Sequence, residues 1–124
     1  MTFLQAIARE EGFEVEGSRP QRNNNPGDLV FCAESERFGA THGDPRFAVF
    51  PDAETGWEAL RHWLSLPAEF EDGKLVAGYL GATVEQIVNR FAPPVENNSS
   101  AYVANVCGWA NVTPATIITS ENLG

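Results

Sequence analysis

At 124 residues, 43% of them hydrophobic and three of them tryptophan, the chain has material for a single domain over residues 1–124 and is too apolar to remain disordered. A formal net charge of −9, with eight Lys and Arg against 17 Asp and Glu, argues against a nucleic-acid partner, which would need a basic footprint. No stretch approaches the roughly 20 apolar residues that span a bilayer, and the N-terminus lacks the basic and apolar regions of a secretory signal, so the chain as given is expected to be soluble, without membrane insertion.

Thr2 and Gln5 have the spacing of a capping box, which predicts a helix from Phe3 to about Glu11, ended by Gly12 in a left-handed conformation. Phe3, Leu4, Ile7 and Ala8 then share an apolar stripe, with Glu11 near its middle. A glutamate so placed is a solvated helix end, a buried cap, or an acid that keeps its proton because desolvation disfavours the charge. In Asn23-Asn24-Asn25-Pro26-Gly27-Asp28, proline presets φ and glycine accepts a positive φ, which predicts a type II turn from Asn25 to Asp28. Adjacent carboxamides on a stiff turn suit an uncharged ligand rich in hydroxyls and amides, such as an N-acetylated sugar, although asparagines also cap turns and do nothing more.

Leu29-Val30-Phe31 and Arg46–Phe50 read as a small antiparallel pair, with a polar loop over 32–45 between them. Asp44 in that loop is a candidate for orienting water or stabilising positive charge, against the plain reading of a turn aspartate before proline. Asp52 is placed to cap a helix from Ala53 to Leu66, stopped by Pro67, with Trp57, Leu60 and Leu64 on one face. Trp57 and Trp63 read as core in preference to sugar-stacking platforms. Residues 67–82, broken by Gly73, Gly78 and Gly81, read as a short helix and turns. Thr83 with Gln86 repeats the capping box and opens a helix through Ile87, Val88 and Phe91, ended by Pro93-Pro94. A last helix starts at Ser99 or Ser100, runs through Tyr102, Val103, Val106 and Trp109, and stops at a left-handed Asn111. Thr113-Pro114 opens a final turn before a polar tail. Cys32 and Cys107 lack metal-ligand spacing; they are either two reduced thiols or one bridge closing a long loop.

Several of these stretches together resemble the lysozyme-like superfamily of peptidoglycan-cleaving enzymes. They are Ala8-Arg9-Glu10-Glu11-Gly12 at a helix end, Asn-Pro-Gly-Asp-Leu after it, Phe47-x-x-Phe50-Pro51 with Gly56 beyond, Ala92-Pro93-Pro94 with Glu96-Asn97, and Tyr102-Val103-x-x-Val106. Phage-type lytic transglycosylases and flagellar-type glucosaminidases are the nearest in flavour. The resemblance implies a mostly helical α+β, lysozyme-like fold with a small β-hairpin, and cleavage of the β-1,4 bond between amino sugars of peptidoglycan by a lytic transglycosylase or muramidase. Glu11 matches the catalytic glutamate, with a pKa raised from roughly 4.3 toward about 6 by its apolar side. Tyr102 matches a tyrosine that the final helix contributes to the site, and Asn25, Gly27, Asp28 and Asp44 are the candidate substrate contacts. No metal or cofactor is implied; the expected partner is the glycan strand, met by a monomer acting on the cell wall. The chain departs from the pattern at Asp28, where asparagine usually precedes the leucine, and at Gly12, where serine often follows the glutamate. Those departures suit an alternative, an inactive wall-binding or virion structural protein that keeps the fold. A plain interaction module is a further reading. A cysteine peptidase built on Cys32 and His42 is disfavoured, because Cys32 follows a strand and has acidic neighbours that would raise its pKa.

Overall fold

The computed structural model describes residues 1–94 and 97–124. Among these, six helices and two small two-stranded antiparallel sheets make a mostly helical α+β structure. The chain divides into two compact units, Ile7–Trp63 and Met1–Ala6 with Leu64–Gly124. Helix α1, Phe3–Glu11, runs from one into the other. It starts as the capping box dictates: the Thr2 N–H donates to Gln5 Oε1 at 2.9 Å and the Gln5 N–H to Thr2 Oγ1 at 3.1 Å. Gly12, at φ +92°, ends it.

In the unit Ile7–Trp63, α2 (Arg19–Arg22) and α3 (Ala33–Arg37) are short, and β1 (His42–Gly43) pairs antiparallel with β2 (Ala48–Val49). The expected pairing of Leu29–Phe31 with Arg46–Phe50 is present as a Val30–Phe47 bridge, flanked by the Phe31 N–H on Arg46 O at 2.7 Å and the Ala48 N–H on Leu29 O at 2.8 Å. The stretch between them is more ordered than a polar loop, because α3 forms inside it. The Cys32 N–H donates to Ser35 Oγ at 2.9 Å, and that hydroxyl, fully buried, donates to Val30 O at 2.8 Å. Helix α4 covers Ala53–Leu64 and begins at Asp52, whose Oδ1 accepts the Thr55 N–H at 2.7 Å. That backbone hydrogen bond also holds the Asp52 carboxyl below its ordinary pKa. The helix ends two residues earlier than expected, since Leu66, preceding Pro67, is disfavoured in the α region. Ile7, Ala8, Leu29, Ala40, Ala48, Phe50, Ala59 and Leu60 are buried apolar residues of this unit.

In the other unit, residues 67–82 form not a helix but a hairpin: β3 (Glu69–Glu71) pairs with β4 (Lys74–Ala77). Its two-residue loop, Asp72-Gly73, has both φ angles positive, at +52° and +77°, as the twist of a hairpin prefers. Helix α5 (Val84–Phe91) carries the second capping box, with the Thr83 N–H on Gln86 Oε1 at 2.9 Å. Helix α6 (Ser99–Ala110) is capped by Asn98 and ends at Asn111, which is left-handed at φ 56°, as its sequence predicts. Helices α5 and α6 pack together, burying Val84, Ile87 and Val88 of one and Tyr102, Val103 and Val106 of the other. The tail after Pro114 is tied in along its length. Ile117 bridges Thr83, Ile118 is fully buried, and Leu123 O accepts the Leu4 N–H at 3.1 Å. Cys32 and Cys107 are both free, half-buried thiols, and burial pushes the Cys107 thiol up.

Candidate functional site

The site begins at the last residue of α1. Glu11 is half-buried there, and the chain turns at Gly12, whose carbonyl accepts the Ser18 hydroxyl at 2.7 Å. The same hydroxyl accepts the Gln21 N–H at 3.3 Å as the N-cap of α2, so Ser18 locks the end of one helix to the start of the next. Pro20, in the first turn of α2, has a ring already set for helical φ. This brings Arg19 to the start of α2, where its guanidinium grips Asp28 with both prongs, Nε to Oδ1 at 3.1 Å and Nη2 to Oδ2 at 2.5 Å. It also lies 3.5 Å above the centre of the Phe47 ring, and Arg46 sits 4.9 Å from the same ring. The Arg19 pKa is raised, first by the hydrogen bond to Asp28 and further by the negative charges of Asp28 and Glu11. Glu11 and Asp28, eight residues before Arg19 and nine after it in sequence, therefore both act electrostatically on the same cation.

The asparagine turn is braced differently from its sequence expectation. Asp28 N–H does close it onto Asn25 O at 2.9 Å, but the left-handed residues are Asn24 and Asp28, at φ 52° and 49°, and Gly27 is not among the positive-φ residues. The turn is therefore not type II. Glycine is required at 27 by space: a Cβ there would stand 2.6 Å from Leu60 Cδ1. Gly56 is tighter still, with a Cβ 1.8 Å from the backbone oxygen of Asn24. Asn25, expected to touch substrate, is instead fully buried, and its carboxamide is committed within the protein. Nδ2 donates to Leu29 O and Ala48 O, and Oδ1 accepts the Leu29 N–H, all at 2.9 Å. It holds the turn to the Leu29–Phe31 strand from inside, a positioning role rather than direct contact. Asn24 clips the next segment, its Nδ2 on Phe50 O at 3.1 Å.

Asp44 is exposed in the loop between β1 and β2, its N–H on Phe47 O at 2.8 Å. Tyr102 is buried on α6 and belongs to the other unit. Glu96 lies outside the described residues. Trp57, half-buried, meets Phe13 edge-on with ring centroids 5.5 Å apart. Among the described residues no three His, Cys, Asp or Glu are gathered so that they could hold a metal, and no helix is long and apolar enough to cross a membrane. The sequence reading omitted Arg19; Ser18-Arg19-Pro20, an N-cap followed by proline, signals the short helix that presents it. No family model matches the chain, and no curated protein matches it.

Proposed function

We propose that this protein cleaves peptidoglycan glycan strands at the β-1,4 bond between amino sugars, on a lysozyme-like fold, with Glu11 as general acid and then base. The observation that carries this reading is that Arg19, ion-paired with the acid of the Asn-Pro-Gly-Asp turn, also lies within electrostatic reach of the helix-end glutamate, so that residues of two motifs of the resemblance act on one cation. Glu11 protonates the leaving oxygen as the glycosidic bond breaks. The sugar's own hydroxyl then attacks the anomeric carbon and returns its proton to Glu11, forming an anhydro ring without a second carboxylate. A hydrolase would need a partner carboxylate about 5–9.5 Å away. Asp28 does not suit that task, because both its oxygens are committed to Arg19. The anhydro route needs no such partner and is the form of the reaction proposed. Asn25, Gly27 and Gly56 set the shape of the turn, and Asp28 fixes Arg19 beside it.

A second reading, a non-catalytic wall-binding or virion protein, draws on the departures at Gly12 and Asp28, since the aspartate that stands where asparagine is usual is committed to Arg19. Mass analysis of products from purified peptidoglycan separates the readings: anhydro-ended fragments support the proposal, reducing-end fragments alone support hydrolysis, and intact glycan supports the non-catalytic protein.

A further inference from the structure

A groove of about 460 Å³ runs along one side of the hairpin, lined by Gly73, Lys74 and Leu75 from the hairpin and by Gln86, Asn89, Arg90 and Pro93 from α5 and the chain just beyond it. Its charge is opposite to that of the chain. In a protein of net charge −9, four arginines are paired with carboxylates, at Arg9–Glu14, Arg19–Asp28, Arg37–Glu34 and Arg61–Glu58. Lys74 and Arg90, like Arg22 and Arg46, take part in no ion pair among the described residues, and of these four cations they are the two that line the groove, from different walls. Arg90 is oriented by the Tyr79 ring, 5.4 Å beneath its guanidinium. Gln86 has its Oε1 occupied by the Thr83 N–H, so the amide has its Nε2 donors left to offer. Two cations, further amide donors, and the apolar Leu75 and Pro93 together describe the complement of a small anion with an aliphatic body. The planar fork of arginine matches a carboxylate, and side-chain amides match peptide groups, which favours an acidic peptide over a bare phosphate. We infer that this groove binds a short acidic peptide carrying two carboxylates, with Lys74 and Arg90 as its anchors.

The opposing charges are local. Glu71 stands directly opposite Lys74 in the β3–β4 ladder, and Asp72 occupies the hairpin loop. Glu71 therefore competes with the ligand for Lys74, and its removal should strengthen binding. Calorimetric titration of the whole chain at low salt tests this, using N-acetyl-L-alanyl-D-glutamate, its L,L isomer, the diamide of each, and inorganic phosphate. The expected result is saturable binding of the dicarboxylates, at least tenfold weaker for Lys74→Gln and for Arg90→Gln, tighter for Glu71→Gln, and lost for the diamides. All three substitutions are at exposed positions, and circular dichroism checks that each variant folds. Preference for the D isomer would identify a wall peptide as the source, and preference for the L,L isomer a protein segment; either supports the site. Equal binding of the diamides, phosphate binding as tight as that of the peptides, wild-type affinity in the Lys74→Gln/Arg90→Gln double variant, or no saturable binding would overturn it. The test does not depend on whether the chain cleaves glycan.

Discussion

Arg19 and Asp28 form a forked ion pair in which the Asp28 side chain is nearly covered, at 7% exposed, and the Arg19 side chain is not, at 43%. Removing the arginine leaves a covered carboxylate without its cation. Charge-assisted hydrogen bonds contribute about 1.5–3 kcal/mol, and solvent screening at the exposed arginine reduces this, so Arg19→Gln should cost about 1–2 kcal/mol. Adding Asp28→Asn should recover part of the loss, because no buried charge then remains and asparagine tolerates the left-handed backbone at that position. Urea unfolding of the two variants measures this; wild-type stability in Arg19→Gln would contradict the pair's importance.

Gly27 and Gly56 differ in what they would meet. The obstacle at Gly27 is the far end of the Leu60 side chain, which can move, and Gly27→Ala should cost about 1–3 kcal/mol as overpacking does. At Gly56 the obstacle is backbone, the Asn24 oxygen 1.8 Å away, and Gly56→Ala should be the more damaging of the two. Leu60→Val should rescue Gly27→Ala and leave Gly56→Ala unimproved. The reverse order of stabilities, read from urea midpoints, would refute the packing account of both glycines.

Asn25 makes three buried hydrogen bonds, so Asn25→Ala should destabilise by about 2–4 kcal/mol through the unpaired groups it leaves. The Leu29 amide proton, bonded to Asn25 Oδ1, should lose its protection from exchange by more than the global stability change explains. Unchanged protection at Leu29 would count against the brace.

Much of the helical framework is legible because its signals are local. The capping boxes Thr2–Gln5 and Thr83–Gln86 and the left-handed Asn111 fix the ends of α1, α5 and α6 within a few residues of chain. Asp72-Gly73 was equally local, a hairpin signal between two short strands, but three glycines in 67–82 drew the reading toward turns. Helix α3 is polar and carries no apolar periodicity, so only Ser35 reaching back to the Cys32 N–H marks it. The role of Gly27 could not be read from Pro-Gly alone, since what decides it is Leu60, 33 positions further on. For the same reason Arg19 was missed: its partners Asp28 and Phe47 are brought to it by the fold.

Tyr102→Phe removes a single oxygen from a buried ring. If the hydroxyl supports catalysis as the resemblance implies, turnover on peptidoglycan should fall more than tenfold, about 1.4 kcal/mol of transition-state stabilisation. Full turnover would remove Tyr102 from the site and leave it as core of α6.

Glu11 is the residue on which the functional proposal rests, and Glu11→Gln changes little but its capacity to carry a proton. The direct measurement is mass analysis of muropeptides released from purified peptidoglycan by the wild-type protein and by Glu11→Gln, with urea unfolding confirming that both are folded. The account predicts anhydro-ended fragments from the wild type and intact glycan from the variant. Intact glycan with the wild type, or equal release by Glu11→Gln, would contradict it.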